Sequence, residues 1–213
     1  MNALPNLSAA DLAALLCSRV CHDVIGPLGA VANGLEVLDE DNGNEMHDFA
    51  MELIRKSTGS ASAKLKFCRI AYGAAGSAGA SIDTGDAETV VRDLMEHEKP
   101  DVTWEGPRAL VGKNRVKLLL NLVASGLHAI PRGGTIAVSL EAPESDNAVL
   151  TVTCTGKNAR VPSLLLDFMN GTHEGDVDAH AIQSYYTVLL AKETGMTLAA
   201  TVNAETVTLK ATA

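Results

Sequence analysis

From Cys17 to Leu38 the apolar residues Cys17, Cys21, Val24, Leu28, Val31, Leu35 and Leu38 recur in steps of four and three. That spacing lies along one face of a long α-helix, in the manner of a coiled-coil seam, and fits no strand. Ser8, with Asp11 three residues on, reads as a capping box, so the helix is expected over residues 8–38. On the seam, Cys17 and Cys21 read as small buried hydrophobes rather than metal ligands. Glu40-Asp41-Asn42-Gly43-Asn44 is a turn cluster, and a second helix follows over residues 45–72. Its inward positions include Phe49, Leu53, Phe67 and Ile70, with small residues from Ser57 to Ala63 in its middle. An antiparallel hairpin of two such helices cannot bury both sides of its apolar faces alone, so a homodimer forming a four-helix bundle is expected. Leu12, Leu15 and Leu16 fall off the seam and predict a second contact surface near the N-terminus.

Gly73-Ala74-Ala75-Gly76-Ser77-Ala78-Gly79-Ala80-Ser81 is the sharpest change of composition in the chain. The domain boundary is expected there, dividing a helical domain of residues 1–76 from a second domain of residues 77–213. In the second part, helices are predicted over residues 86–98, 113–130 and 181–194. Strands are predicted over 102–104, 135–141, 148–154, 197–202 and 206–211, with Gly195 as a helix C-cap. Strands and helices in this order imply an α+β sandwich, helices on one face of a mostly antiparallel sheet.

Composition narrows the function. A formal charge of −9 and a sequence pI near 5.1 argue against nucleic acid as a partner, since that affinity rests on clustered cations. Aromatic residues at 3% leave few stacking platforms for single strands. Residues 1–5 lack a basic, apolar leader, and no apolar run approaches the roughly 20 residues that span a bilayer, so no membrane association and a cytoplasmic location are expected. Four cysteines without CxxC pairing make neither a disulfide scaffold nor a zinc site.

The chemistry concentrates in Cys21-His22-Asp23-Val24-Ile25-Gly26-Pro27-Leu28. His22 lies one position beyond the seam and faces outward. Neutral imidazole is the nucleophilic form, and a neighbouring carboxylate, Asp23, can accept a proton from one ring nitrogen and leave the other free to attack phosphorus. Adjacent residues point about 100° apart on a helix, so Asp23 is the weaker of the two assignments. Pro27 removes a backbone donor and displaces the Asp23 carbonyl, and a bend is expected there. Helical spacing places Leu15, Ser18, Arg19, Ile25, Gly26 and Gly29 on the face of His22, a surface suited to docking a partner that carries a phosphoryl group. Arg19 is placed either to steady negative charge or to cover the helix with its stem. His47, His97, His128, His173 and His180 have no base or ligand at useful spacing and read as solvated or locally bonded.

His22-Asp23-Val24-Ile25-Gly26-Pro27-Leu28 resembles the H-box of two-component histidine kinases, His-(Glu/Asp)-x-x-x-Pro-Leu, on the first of two dimerisation helices. The likeness extends to the linker and the second domain. It implies that the second domain is an ATPase-like sandwich of the Bergerat type, and it points to three departures. Asn121-Leu122-Val123-Ala124-Ser125-Gly126 is similar to the Asn-Leu-x-x-Asn-Ala box, with Ser125 where the family has its magnesium-binding Asn. Cys154, in Val152-Thr153-Cys154-Thr155-Gly156, stands where the family has its adenine-reading Asp. Gln183-Ser184-Tyr185-Tyr186-Thr187 replaces the glycine run that approaches phosphates. A fourth departure is Gly26, where kinases of this kind often carry a Thr or Asn that positions water for dephosphorylation.

With those losses the chain resembles the dimeric histidine phosphotransferases of alphaproteobacteria, a kinase dimerisation domain joined to a degenerate ATPase domain. The resemblance implies a phosphorelay. The receiver aspartate of a hybrid histidine kinase would phosphorylate His22, which would pass the group to receiver aspartates of response regulators controlling the cell cycle. No cofactor would be bound by this chain, and Mg²⁺ would belong to the receivers. A divergent working kinase and a non-catalytic dimeric interaction module are the rival readings.

Overall fold

A computed structural model describes residues 4–40, 44–73 and 80–213. Ser8 caps α1 (Ala9–Asp39), its hydroxyl accepting from the Asp11 amide at 3.1 Å while bonding the Asp11 carboxylate at 2.6 Å. The helix runs unbroken through Pro27, and α2 (Asn44–Ala71) folds back along it. The turn cluster at 41–43 and the glycine-rich boundary at 74–79 fall outside the described residues.

In the single chain α2 covers only one flank of the seam. Val24 and Gly34 are buried, and Gly34 admits Ile54 so closely that a Cβ would lie 2.7 Å from its Cγ1. Cys17, Cys21, Leu28 and Leu35 are exposed instead, which corrects the expectation of buried cysteines. Phe49 is likewise outward rather than inward. The cause is the drift of a four-three repeat around a straight helix: two helices cover one edge of the seam and leave the other bare. By length and composition α1 is also apolar enough to cross a membrane, contrary to the expectation that no run is. Its alanines, valines and leucines raise the average, although Arg19 and Asp23 sit within it.

The second domain begins with the short pair β1 (Ser81–Asp83) and β3 (Leu110–Gly112), antiparallel. Between them lie α3 (Thr84–Met95), capped by Asp83, and β2 (Asp101–Glu105). Next come α4 (Lys113–Ala129), β4 (Thr135–Glu141), β5 (Val149–Thr155), α5 (Ser163–Asn170), α6 (Ile182–Glu193), β6 (Thr197–Asn203) and β7 (Thr206–Thr212). The sheet order is β2-β4-β5-β7-β6, parallel only between β2 and β4. Alternation sends Ile136, Val138, Leu140, Leu150, Val152, Cys154, Val207 and Leu209 to one buried face under the helices. α4 is buried almost all round and carries Leu118, Leu119, Leu120 and Leu122 into that core. The α+β sandwich is as expected. Three short elements, β1, β3 and α5, were not expected.

The two domains share packing. Phe67, Cys68, Ile70 and Ala71 of α2 belong to the same apolar cluster as α3, α4 and the sheet. Lys64 pairs with Glu98 at 3.3 Å, Lys66 pairs with Asp93 at 3.1 Å, and the His97 ring lies over Gly59, where a Cβ would come within 2.8 Å. At the other end Leu4, Leu7, Leu12, Leu15 and Leu16 pack on Phe168, Val177, Ile182 and Tyr185. Tyr185 also donates to the Pro5 carbonyl at 2.9 Å. The contact surface predicted from Leu12, Leu15 and Leu16 is thus taken by α5, α6 and the segment between them.

Candidate functional site

His22 projects from the middle of α1 with 80% of its side chain exposed. Its Nδ1 lies 3.4 Å from Asp23 Oδ1, and the other carboxylate oxygen accepts from Arg19 Nε at 3.0 Å. Arg19 and Asp23 are one turn apart and well covered, their side chains 13% and 23% exposed. A clasped ion pair therefore holds the carboxylate beside a free imidazole. At 3.4 Å the contact steers the ring more than it binds it. If Nδ1 carries the proton toward Asp23, Nε2 is left with its lone pair free.

The residues placed by spacing on the His22 face divide in the structure. Ser18, Ile25, Gly26 and Gly29 are exposed, Ile25 at 70%, and a Cβ at Gly26 or Gly29 would meet nothing within 4 Å. Leu15 packs against the second domain instead, and Arg19 is engaged with Asp23.

On its other side His22 borders a cleft of about 370 Å³ between the two domains. Arg19, His22 and Asp23 line it from α1, Lys64 and Cys68 from α2, and His128 and His180 from the second domain. Burial pushes the Cys68 thiol up to about 12, so it stays neutral. A neighbouring cleft of about 340 Å³ shares Arg19, His128 and His180 and adds Arg160. Sequence spacing missed both histidines, which lie more than 100 residues from His22. Only the docking of the second domain on α1 and α2 brings them near.

Between α4 and α6 the polar side chains are turned into the protein interior. Ser125 Oγ donates to the Asn121 carbonyl at 2.9 Å, and Gln183 Nε2 faces that carbonyl at 2.9 Å, Ser125 Oγ at 3.2 Å and Thr187 Oγ1 at 3.1 Å. Asn121, Ser125, Gln183 and Thr187 are all buried. Asn121 Nδ2 donates to the Lys117 carbonyl at 2.9 Å and to the Ala71 carbonyl of α2 at 3.3 Å, tying the helix to the hairpin. Cys154 is fully buried, its thiol pushed up to about 12 by burial. Its Sγ rests against Gly126, where a Cβ would stand 2.7 Å away. A large residue at position 126 would not fit.

A family model described as the histidine phosphotransferase C-terminal domain matches residues 84–206. Protein phosphotransferase ChpT of Brucella abortus (strain 2308) is 51% identical over 206 residues, spanning 96% of this chain and 97% of that protein. A solved bacterial phosphotransferase structure is 48% identical and covers 98% of each chain, with a TM-score of 0.91. The chain belongs to the histidine phosphotransferase family.

Proposed function

We propose that His22 is the phosphoacceptor of the relay, with Asp23 fixing its tautomer and Ser18, Ile25, Gly26 and Gly29 forming the docking surface. The observation that carries this is the exposed His22 ring beside a carboxylate held by Arg19. In the accepting step, Nε2 attacks phosphorus of a receiver's aspartyl phosphate, the P–O bond to the aspartate breaks, and a P–N bond forms. The imidazole then carries the positive charge that Asp23 offsets. The reverse geometry hands the group to the next receiver. Such transfer runs mainly on positioning and charge, so His22 needs little further acid-base machinery.

The donor is the receiver of a hybrid histidine kinase and the acceptors are receivers of cell-cycle response regulators, with Mg²⁺ supplied by those partners. The chain works without ATP in the cytoplasm. Support for the ATP-free reading is the buried Asn121-Ser125-Gln183-Thr187 network, in which Gln183 Nε2 and the Ser125 hydroxyl bond within the protein, although Asn121 Oδ1 is buried without a partner. The residues present do not fit that group. A homodimer covers Leu28 and Leu35 of α1 and Phe49 of α2, which a single chain leaves exposed.

Receiver carrying labelled aspartyl phosphate is mixed with the wild-type protein and with His22→Ala. Label is expected on the wild type alone and then on a second receiver. Equal labelling of both proteins refutes the assignment. With γ-labelled ATP, magnesium and no partner, His22 is expected to stay unlabelled, and label there restores the kinase reading.

A further inference from the structure

We propose that His128 of the second domain is a positioning residue for the phosphoryl group on His22, taking up a proton from solvent when that group arrives and holding it in the cleft the two histidines share. The inference rests on the reading of His22 as phosphoacceptor. His128 sits in the last turn of α4, with Nδ1 3.0 Å from the Ala124 carbonyl one turn back. A carbonyl only accepts, so Nδ1 carries a proton in either charge state. The changeable nitrogen is therefore Nε2, left without a backbone partner on a ring that lines both clefts. Protonated there, the imidazolium turns a second N–H outward, which is what a phosphoryl oxygen requires.

The charges around the ring favour such a response. From α1, Arg19 and Asp23 face the cleft but neutralise each other at 3.0 Å. From α2 and the turn after α3, Lys64 and Glu98 do the same at 3.3 Å. Cys68 and Tyr72 complete the α2 wall and are held neutral, burial raising both. From the far side, His180 before α6 lines both clefts, and Arg160 in the segment before α5 adds positive charge to the second. Burial first, then Arg19, keep His128 below its ordinary value in the unphosphorylated protein. Asp23 pulls the other way.

A phosphoryl group on His22 adds nearly two negative charges to a cleft whose ion pairs otherwise cancel. Opposite charge nearby favours the protonated imidazole, as does the C-terminal end of α4. His180 lines the same cleft from the loop before α6.

The test uses the full-length protein, phosphorylated on His22 with phosphoramidate, a chemical donor independent of any receiver. Imidazole NMR signals, assigned with His22→Ala and His128→Gln, are followed between about pH 5.5 and 8.5. The His128 midpoint is expected to rise by about one pH unit or more on phosphorylation. The His128→Gln protein should fold normally and lose the rise in transfer rate toward low pH that is expected of the wild type. An unmoved His128 midpoint overturns the proposal, and so does failure of phosphoramidate to label His22, since the cleft then has no group to hold. If labelled His22 is discharged by no receiver, the relay reading fails and the His128 shift stands by itself.

Discussion

Asp23→Asn isolates the charge beside His22, because the side chain keeps its shape and one oxygen. In the wild type, Asp23 Oδ1 stands 3.4 Å from His22 Nδ1. A unit pair at that separation is worth about 1 kcal/mol in bulk water and about 5 kcal/mol at the effective dielectric near a protein surface. Because 80% of the His22 side chain is exposed, the lower part of that range applies. The charge forming during attack is also partial, and Arg19 at 3.0 Å draws some of the carboxylate's field. The net loss should be about 1–2 kcal/mol in the transition state, roughly a 5- to 30-fold fall in transfer rate. Single-turnover transfer from a phosphorylated receiver, with receiver affinity measured separately, gives the rate directly. Binding should stay within about twofold, since Asp23 is mostly covered and not on the docking surface. A rate within threefold of wild type would refute the argument that the carboxylate supports the ring, and a fall of more than about a thousandfold would show that it removes a proton outright.

Gln183→Ala removes the hub of the buried polar network, losing about two net hydrogen bonds and opening a small void. Urea unfolding should show a loss of about 2–4 kcal/mol with little change in the transfer rate at His22, and a loss below about 1 kcal/mol would mean the network is not cohesive. Leu35→Asp places a charge on the bare apolar edge of α1, far along the helix from His22. Light scattering should report a monomer, whereas an unchanged dimer moves the subunit contact to another surface. Gly26→Asn fills open space one turn after His22 without a clash, and it should give the protein receiver-dephosphorylating activity measured as phosphate release. If release stays at the wild-type rate, the bare position is not what restrains that reaction.

What the sequence made legible was what local spacing encodes. The four-three repeat and Ser8 located α1 to within a residue or two, and alternation in residues 135–141 and 206–211 located two core strands. His22 and Asp23 stood out because a histidine and a carboxylate adjacent in the chain can meet without any tertiary contact. β1 and β3 were not, because three-residue strands carry too few alternations to stand out. α5 was lost in a stretch where Pro162 and an apolar Leu164-Leu165-Leu166 run fit a loop, strand or helix equally. Cys17 and Cys21 were assigned to a buried seam because a repeat identifies an apolar face without saying which molecule covers it. His128 reads from the sequence as locally bonded, as its Nδ1 contact with the Ala124 carbonyl shows, but that α4 and the loop before α6 bring it and His180 to the cleft beside His22 is a tertiary fact with no local signature.

That docking also limits what the second domain can do. A domain that delivers phosphate from a bound nucleotide has to move relative to the phosphoacceptor helix, and a shared core opposes such motion. Here Phe67, Cys68, Ile70 and Ala71 are built into the sandwich core, and Asn121 bonds the Ala71 carbonyl. The Lys64-Glu98 and Lys66-Asp93 pairs and the Leu4-to-Leu16 patch add contacts on two sides. Separating the domains would expose these apolar surfaces together, at several kcal/mol for the α2 residues alone. A fixed second domain is a poor nucleotide shuttle and a good wall: it holds His128, His180 and Arg160 at constant distance from His22 while receivers come and go. Gln183 and Thr187, bonded to each other inside the second domain, belong to the same α6 helix that packs against α1, so the buried network and the docked interface are mechanically joined.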